Sequence, residues 1–312
     1  MSKRAPVALF VYNRPEHTRR TLEALAQNRG ADATLLYVFS DGPKPDATPA
    51  DREKITATRE LVCSRPWVRN IVLVEAAQNH GLADSIVGGV QRVLEEHGRV
   101  IVLEDDLVTS PGFLDYMNQA LDLYADDEKV MHVSGYMYPL HLRTPGTAFL
   151  RVLSCWGWAT WSRAWKHFDP DIEGHLRRLD SPARVRNFNI EGHADFYRQL
   201  LDNRSGRIHS WAVRWYASWL ARGGITLFPT QSLVRNIGHD GSGIHCGPDH
   251  RFDTTLADAI PVRRQPLRED ISLRWRINEF YRSGRTNRSF PRIWVTSRLV
   301  LPIRRRLARH WA

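Results

Sequence analysis

Three acidic residues in a row, Glu104-Asp105-Asp106, follow directly on the apolar run Val100-Ile101-Val102-Leu103. Carboxylates gathered at the end of a buried strand repel one another and resist desolvation unless something positive bridges them. A divalent cation with a phosphate ligand does so, because a magnesium-type ion uses one or two carboxylates plus substrate phosphates. Three earlier apolar runs also end in polar residues. Asn13-Arg14-Pro15 closes the first, Ser40-Asp41-Gly42-Pro43 the second and Gln78-Asn79-His80-Gly81 the third. The plainer alternatives are a charge cluster ahead of a helix at Pro111 for the triplet, a surface salt bridge for Arg14 and a turn role for Asp41.

These residues need a scaffold that brings four chain segments to one edge. The sequence predicts strands over 7–12, 35–40, 71–75 and 100–103, with helices over 16–27, 51–63 and 82–96 between them. Short, wholly apolar strands separated by helices indicate a parallel sheet covered on both faces. Ligands sit at the carboxyl ends of such strands. No G-x-G-x-x-G follows the first strand, which argues against a dinucleotide site, and Gly88-Gly89 lies inside a helical pattern. Beyond Asp106 the rhythm becomes mixed: a helix over 112–124, strands near 130–134 and 149–153, a Trp-rich stretch, a helix over 211–221 and a strand over 225–228.

At these motifs the sequence resembles the GT-A-type glycosyltransferases. PVALFVYNRPEHTRRTLEAL, VFSDGPK, NHGLADSIVGGV and VIVLEDDLVTSPGFLDYMNQAL look like their nucleotide-sugar half. CWGWATWSRAWKHFDPD, SWAVRWYASWL and LVRNIGHDGSGIHC look like the acceptor half of bacterial members. The motifs are most similar to N-acetylglucosaminyltransferase I and its bacterial, family 2-like relatives, over about residues 5–250. The fold so implied is α/β: a GT-A-type nucleotide-sugar-binding fold with a mostly parallel sheet flanked by helices, plus a mixed α+β acceptor half. Residues 1–110 are expected to bind the donor and 111–261 the acceptor, with an Arg-rich extension over 262–312.

The resemblance implies roles for single positions. Asp106 is the expected ligand of Mn2+ or Mg2+, which bridges the donor diphosphate and acts as a Lewis acid. Asp105 is expected on the ribose side, Glu104 toward the sugar, Arg14 on the diphosphate and Asp41 on the base edge of uracil. Asn79 and Ser85 complete the donor set, with Ser85 standing where the eukaryotic enzyme has a histidine. In Trp156-Gly157-Trp158, glycine permits close backbone approach, and the indole faces suit a sugar wall; Trp161 and Trp165 are expected in the core. The family's catalytic aspartate falls on Ala212, which accepts no proton. The base is therefore expected in the Gly-rich stretch 236–243, at His239 or Asp240, with Ser242 toward the donor and His245 as a further phosphate candidate.

The 312 residues carry 44 Lys+Arg against 34 Asp+Glu, but not evenly. Residues 262–312 hold 14 arginines and 3 acidic residues, leaving 30 basic and 31 acidic residues in the first 261. Over 293–311, Trp294, Leu299, Ile303 and Trp311 alternate with Arg298, Arg304, Arg305 and Arg309, as in an interfacial amphipathic helix, and Pro302 would break it. An anionic membrane surface is the expected partner of this tail rather than nucleic acid, with docking onto the domain as the alternative. No apolar run approaches 18 residues, the N-terminus lacks a signal-peptide h-region, and Cys63, Cys155 and Cys246 are widely spaced. These point to a cytoplasmic protein, peripheral on the inner face of the membrane. The expected activity is metal-dependent sugar transfer from a UDP donor to a glycan or lipid-linked glycan, as in surface polysaccharide assembly. A sugar-nucleotide nucleotidyltransferase is the same-fold alternative, though it lacks its basic Gly-rich loop. A catalytically silent glycan- or membrane-binding module is the other.

Overall fold

The computed structural model describes residues 4–142, 144–241 and 250–283. Three βα steps and a fourth strand build the first half. Strand β1 (Val7–Val11) leads into helix α1 (Pro15–Ala26), β2 (Leu35–Ser40) into α2 (Pro49–Cys63), and β3 (Asn70–Glu75) into α3 (Leu82–His97), which returns to β4 (Arg99–Glu104). All five residues of β1 are buried, as a strand covered on both faces requires. Helix α3 turns Ile86, Val90, Val93 and Leu94 inward. Its Gly89 lies against the sheet so closely that a Cβ there would stand 2.7 Å from the Phe10 ring.

The register of these strands decides where their ends fall. Val11 pairs with Ser40 and Ser40 with Glu75, while Phe10 pairs with Glu104, all in parallel. The segments that follow the four strands therefore emerge along one rim. Arg59 of α2 fastens that rim by donating to Ser40 Oγ at 3.0 Å and to the Ala76 carbonyl at 2.9 Å, and by pairing with Glu75 at 2.9 Å.

After β4 the chain makes the short strand β5 (Leu107–Thr109), helix α4 (Phe113–Leu123), and strands β6 (Val130–Ser134), β7 (Thr147–Leu150) and β8 (Trp158–Trp161). Helices α5 (Ser162–Trp165), α6 (Ile172–Arg178), α7 (Pro182–Phe188), α8 (Phe196–Arg204) and α9 (Trp211–Leu220) precede strands β9 (Ile225–Pro229) and β10 (Val234–Asn236). The main sheet has the order β3-β2-β1-β4-β8-β6-β9-β7, and β10 pairs separately with β5. Strands β8 and β7 run against the other six. The architecture is thus the expected α/β one, with a mostly parallel central sheet flanked by helices.

Two elements depart from the sequence reading. The Trp-rich stretch supplies β8, which lies antiparallel between β4 and β6 and joins the two halves into one sheet. Residues 262–283, expected to begin an appended extension, run back over the sheet instead. Helix α10 (Ile271–Ser283) buries Leu273, Ile277 and Phe280 beside Tyr138, Leu150 and Phe228. Its Arg274 is buried and bonded to Glu269 at 3.1 Å and Glu191 at 3.3 Å. The tail residues 284–312, including the expected membrane-binding stretch, lie outside the described residues. Among the described residues no helix is long and apolar enough to cross a membrane.

Candidate functional site

Arg14 is the N-cap of α1, and Pro15 behind it has no N–H to satisfy, so the helix starts without a side-chain cap. The Arg14 side chain turns to the acidic triplet instead. Its Nε donates to Asp105 Oδ2 at 3.2 Å and its Nη2 to Asp106 Oδ2 at 2.9 Å, with a further short contact from Nη2 to Asp105 Oδ1. Thr21, two turns along α1, donates to the Asp105 carbonyl at 2.7 Å and fixes the backbone. The ion pair expected for Arg14 as the plainer alternative thus exists, with the triplet acids as its partners.

One guanidinium does not balance three carboxylates. Burial, reinforced by the charges of Asp106 and Asp105, pushes Glu104 up to about 8. Burial likewise pushes Asp105 up to about 6 against the pull of Arg14. Burial works against the Arg14 charge, yet Asp105 and Asp106 outweigh it and hold the guanidinium firmly protonated. The cluster is therefore short of positive charge. No hydrogen bond reaches Asp106 Oδ1 among the described residues, so one oxygen stays open for a further ligand. No group of three or more His, Cys, Asp or Glu there forms a metal cage. A cation at Asp106 would have to complete its shell from a bound phosphate and water, which is the magnesium-type arrangement. On these grounds the residues fit such an ion.

Asp41 and Asn79 bond to each other and to the backbone of the neighbouring turn. Asp41 Oδ1 accepts from the Gly42 and His80 amides, and Oδ2 from the Gly81 amide and Asn79 Nδ2, each at 2.9 Å. These four donors take up a carboxylate's four acceptor positions. Asn79 also donates to the Gly42 carbonyl at 3.0 Å. Asp41 is the fastener of the 78–81 turn, the plainer of its two readings, and a uracil edge would have to displace one of these donors. Ser85 sits in the first turn of α3, half-buried, with its amide on the Gly81 carbonyl.

The Trp156-Gly157-Trp158 step separates its two indoles. Gly157 takes a left-handed φ of 60°, which a larger residue adopts at a cost. Trp158 is fully buried, stacked on His132 and Trp211. It touches no ligand surface, and its place in a sugar wall is corrected to a place in the core. Trp156 remains partly open, edge-on to Tyr136, His239 and Phe252. Trp161 and Trp165 are buried, as expected. Ala212 lies in the first turn of α9, packed against the core.

The stretch after β10 closes over the triplet. Because β10 pairs with β5 directly after the acids, the Ile237 amide donates to the Asp106 carbonyl at 2.8 Å. Gly238 then passes against the Asp106 carboxylate with no room for a Cβ, which would stand 2.9 Å from Cγ. His239 follows, both ring nitrogens buried and without a hydrogen-bond partner. Asp240 pairs with His17 of α1 at 3.1 Å. Sequence reasoning missed His17, although its place three residues after Arg14 puts both on one side of the same helix. Ser242 and His245 lie outside the described residues.

Beyond this partition lies a cavity of about 850 Å³, bordered by Ile237, His239 and Asp240 on one side and by Tyr138, Leu140 and Thr254 on others. The structure thus places Arg14, Glu104, Asp105 and Asp106 together, brings His239 and Asp240 beside them, and leaves Trp158 out.

No protein-family model matches the sequence, and no curated protein matches it. Solved structures similar to this chain include the mannosyltransferase PcManGT from Pyrobaculum calidifontis in complex with GDP-Man and Mn2+. That match has 14% identity, covers 70% of this chain and 69% of that one, and has a TM-score of 0.41. TarS from S. aureus is matched at 14% identity over 46% of this chain and 24% of that one, with a TM-score of 0.30.

Proposed function

We propose that this chain is a metal-dependent glycosyltransferase that moves a sugar from a nucleoside diphosphate to a glycan or lipid-linked glycan. The observation that carries the reading is the convergence of Arg14, Asp105 and Asp106 at the carboxyl rim of the parallel sheet, in a cluster lacking positive charge. Asp106 would hold Mn2+ or Mg2+, which when bound neutralises the leaving diphosphate. Arg14 contacts the same diphosphate, Asp105 faces the ribose side and Glu104 the sugar. The 78–81 turn, held by Asp41 and Asn79, and the first turn of α3 at Ser85 shape the nucleoside end. UDP is the expected carrier on the sequence resemblance to N-acetylglucosaminyltransferase I and its bacterial relatives.

The acceptor hydroxyl oxygen attacks the anomeric carbon, and the nucleoside diphosphate leaves with the bonding pair. The hydroxyl proton passes to His239, whose unpartnered ring nitrogens stand beside the triplet and the cavity. His17 Nε2 stands 3.1 Å from the carboxylate of Asp240 next to it. Trp156 completes the sugar-facing wall. The arginine-rich residues 284–312 keep the enzyme near an anionic membrane face from the cytoplasmic side, a reading that rests on their charge alone.

The test is a panel of UDP-, GDP- and dTDP-sugars with Mn2+ or Mg2+, followed for binding and for slow donor hydrolysis. Binding of one class, lost on removal of the metal, is the expected result. Failure of every donor with either ion overturns the assignment, and release of pyrophosphate from UTP and a sugar phosphate replaces it with nucleotidyl transfer.

A further inference from the structure

The cavity behind the 236–240 partition has a charge pattern of its own. Arg20 of α1 and Arg235 of β10 both line it, both are exposed, and neither has an ion pair or hydrogen bond among the described residues. Among the described residues the two carboxylates on its wall each stand beside a histidine. Asp240 pairs with His17 at 3.1 Å and Asp253 with His250 at 2.9 Å. The two guanidinium groups are therefore the charged groups of the wall left open to an anion among the described residues. Leu140, Leu142 and Leu256 give the same space apolar surface, so it offers both flat contacts and hydrogen bonds. Its volume of about 850 Å³ falls within the about 300–1,000 Å³ of ligand pockets.

We propose that this cavity is the acceptor site and that it selects a saccharide carrying an anionic group, a carboxylate or a phosphate, through Arg20 and Arg235. This rests on the glycosyltransferase reading for the word acceptor, but the binding chemistry stands by itself. His239 borders the cavity on one side while its neighbour Gly238 abuts Asp106, so a saccharide seated there meets the transferred sugar at the partition. Guanidinium groups suit both anions because their paired N–H donors match carboxylate and phosphate oxygens.

The experiment uses the full chain with UDP and Mn2+ at saturation, and titrates in a glucuronate-containing disaccharide, a hexose phosphate and a neutral disaccharide, read by calorimetry or saturation-transfer NMR. At least one of the anionic ligands binds and the neutral one binds at least about tenfold more weakly, with affinity falling as salt rises. Which anionic ligand binds identifies the source of the charge. Arg235→Gln, and the double change Arg20→Gln with Arg235→Gln, weaken the anionic ligand about tenfold or more and leave nucleotide binding unchanged. Equal binding of neutral and anionic sugars, or variants with unaltered affinity, overturns the proposal. Anionic binding without any nucleotide binding removes the glycosyltransferase reading and leaves the cavity's charge selection standing. Nucleotide binding without anionic binding does the reverse.

Discussion

Gly238 lies against the carboxylate of Asp106, so close that a side-chain carbon there would stand 2.9 Å from Cγ. Gly238→Ala should therefore push the partition off the triplet while leaving the core untouched. Metal-dependent nucleotide affinity is expected to fall about tenfold or more, the cost of a displaced charge-assisted contact, with little change in thermal midpoint. Titration of nucleotide with Mn2+, beside a melting curve, checks both halves. An alanine variant with wild-type affinity would show that the close approach has no bearing on the site.

Asp106→Asn keeps the shape of the side chain and removes its charge. Arg14 retains Asp105 as a partner, so the fold is expected to survive. Metal-dependent donor binding should disappear, with any residual binding insensitive to Mn2+. Calorimetry with and without the ion separates this from a general loss of affinity.

Asp41→Asn tests whether that residue builds a turn or reads a base. The new amide would face the amide donors of Gly42, His80 and Gly81. Stability is expected to fall by about 1–3 kcal/mol, the usual cost of unpaired buried polar groups. Uridine and guanosine nucleotides should lose affinity to the same extent. A loss confined to uridine would restore the base contact.

Trp156 and Trp158 should behave oppositely. Trp158→Ala empties a fully buried site and is expected to cost about 3–5 kcal/mol in denaturant unfolding, with Trp158→Phe milder. Trp156→Ala should cost far less stability and lower transfer rates. Equal destabilisation by the two would contradict their separation across Gly157.

His132 gives the fold an acid-sensitive point away from the site. Its Nε2 donates to the Ser154 carbonyl at 3.0 Å, and its Nδ1 accepts from Trp215 Nε1 at 3.2 Å. Burial, only partly opposed by the Ser154 bond, lowers it to about 3. The unfolded chain takes up a proton below about 6.5 and the folded one does not until about 3, so this group's stability contribution is full above 6.5 and declines as pH falls across that window. The slope is about 1.4 kcal/mol per pH unit. The difference between wild type and His132→Gln, measured by denaturant unfolding from pH 7 to pH 5, cancels the carboxylates and should shrink with falling pH.

The first half of the fold was legible because parallel strands covered on both faces must be apolar throughout, and residues 7–11, 35–40 and 99–103 are nearly so. The rim followed from the same logic, since whatever comes after such strands shares an edge. Strand β8 was hidden because Trp158-Ala159-Thr160-Trp161 is four residues long and bordered by other tryptophans. The fates of Trp156 and Trp158 were set by the left-handed turn at Gly157, a backbone event that residue type only permits. Helix α10 reads as part of a basic tail until tertiary partners appear, because Arg274 finds Glu269 and Glu191 far from where its charge would suggest. His17 and Gly238 became site residues only through contacts across more than a hundred positions.

The pairing of β10 with β5 has one more effect. Arg235 and Ile237 bracket the last pair of that short ladder, and the Ile237 amide holds the backbone of Asp106. Chamber wall and carboxylate thus share a single stiff stretch of chain, with no hinge between them to absorb a shift. Should an occupant on one side strengthen binding on the other through that stretch, linkage requires that the second strengthen the first in equal measure.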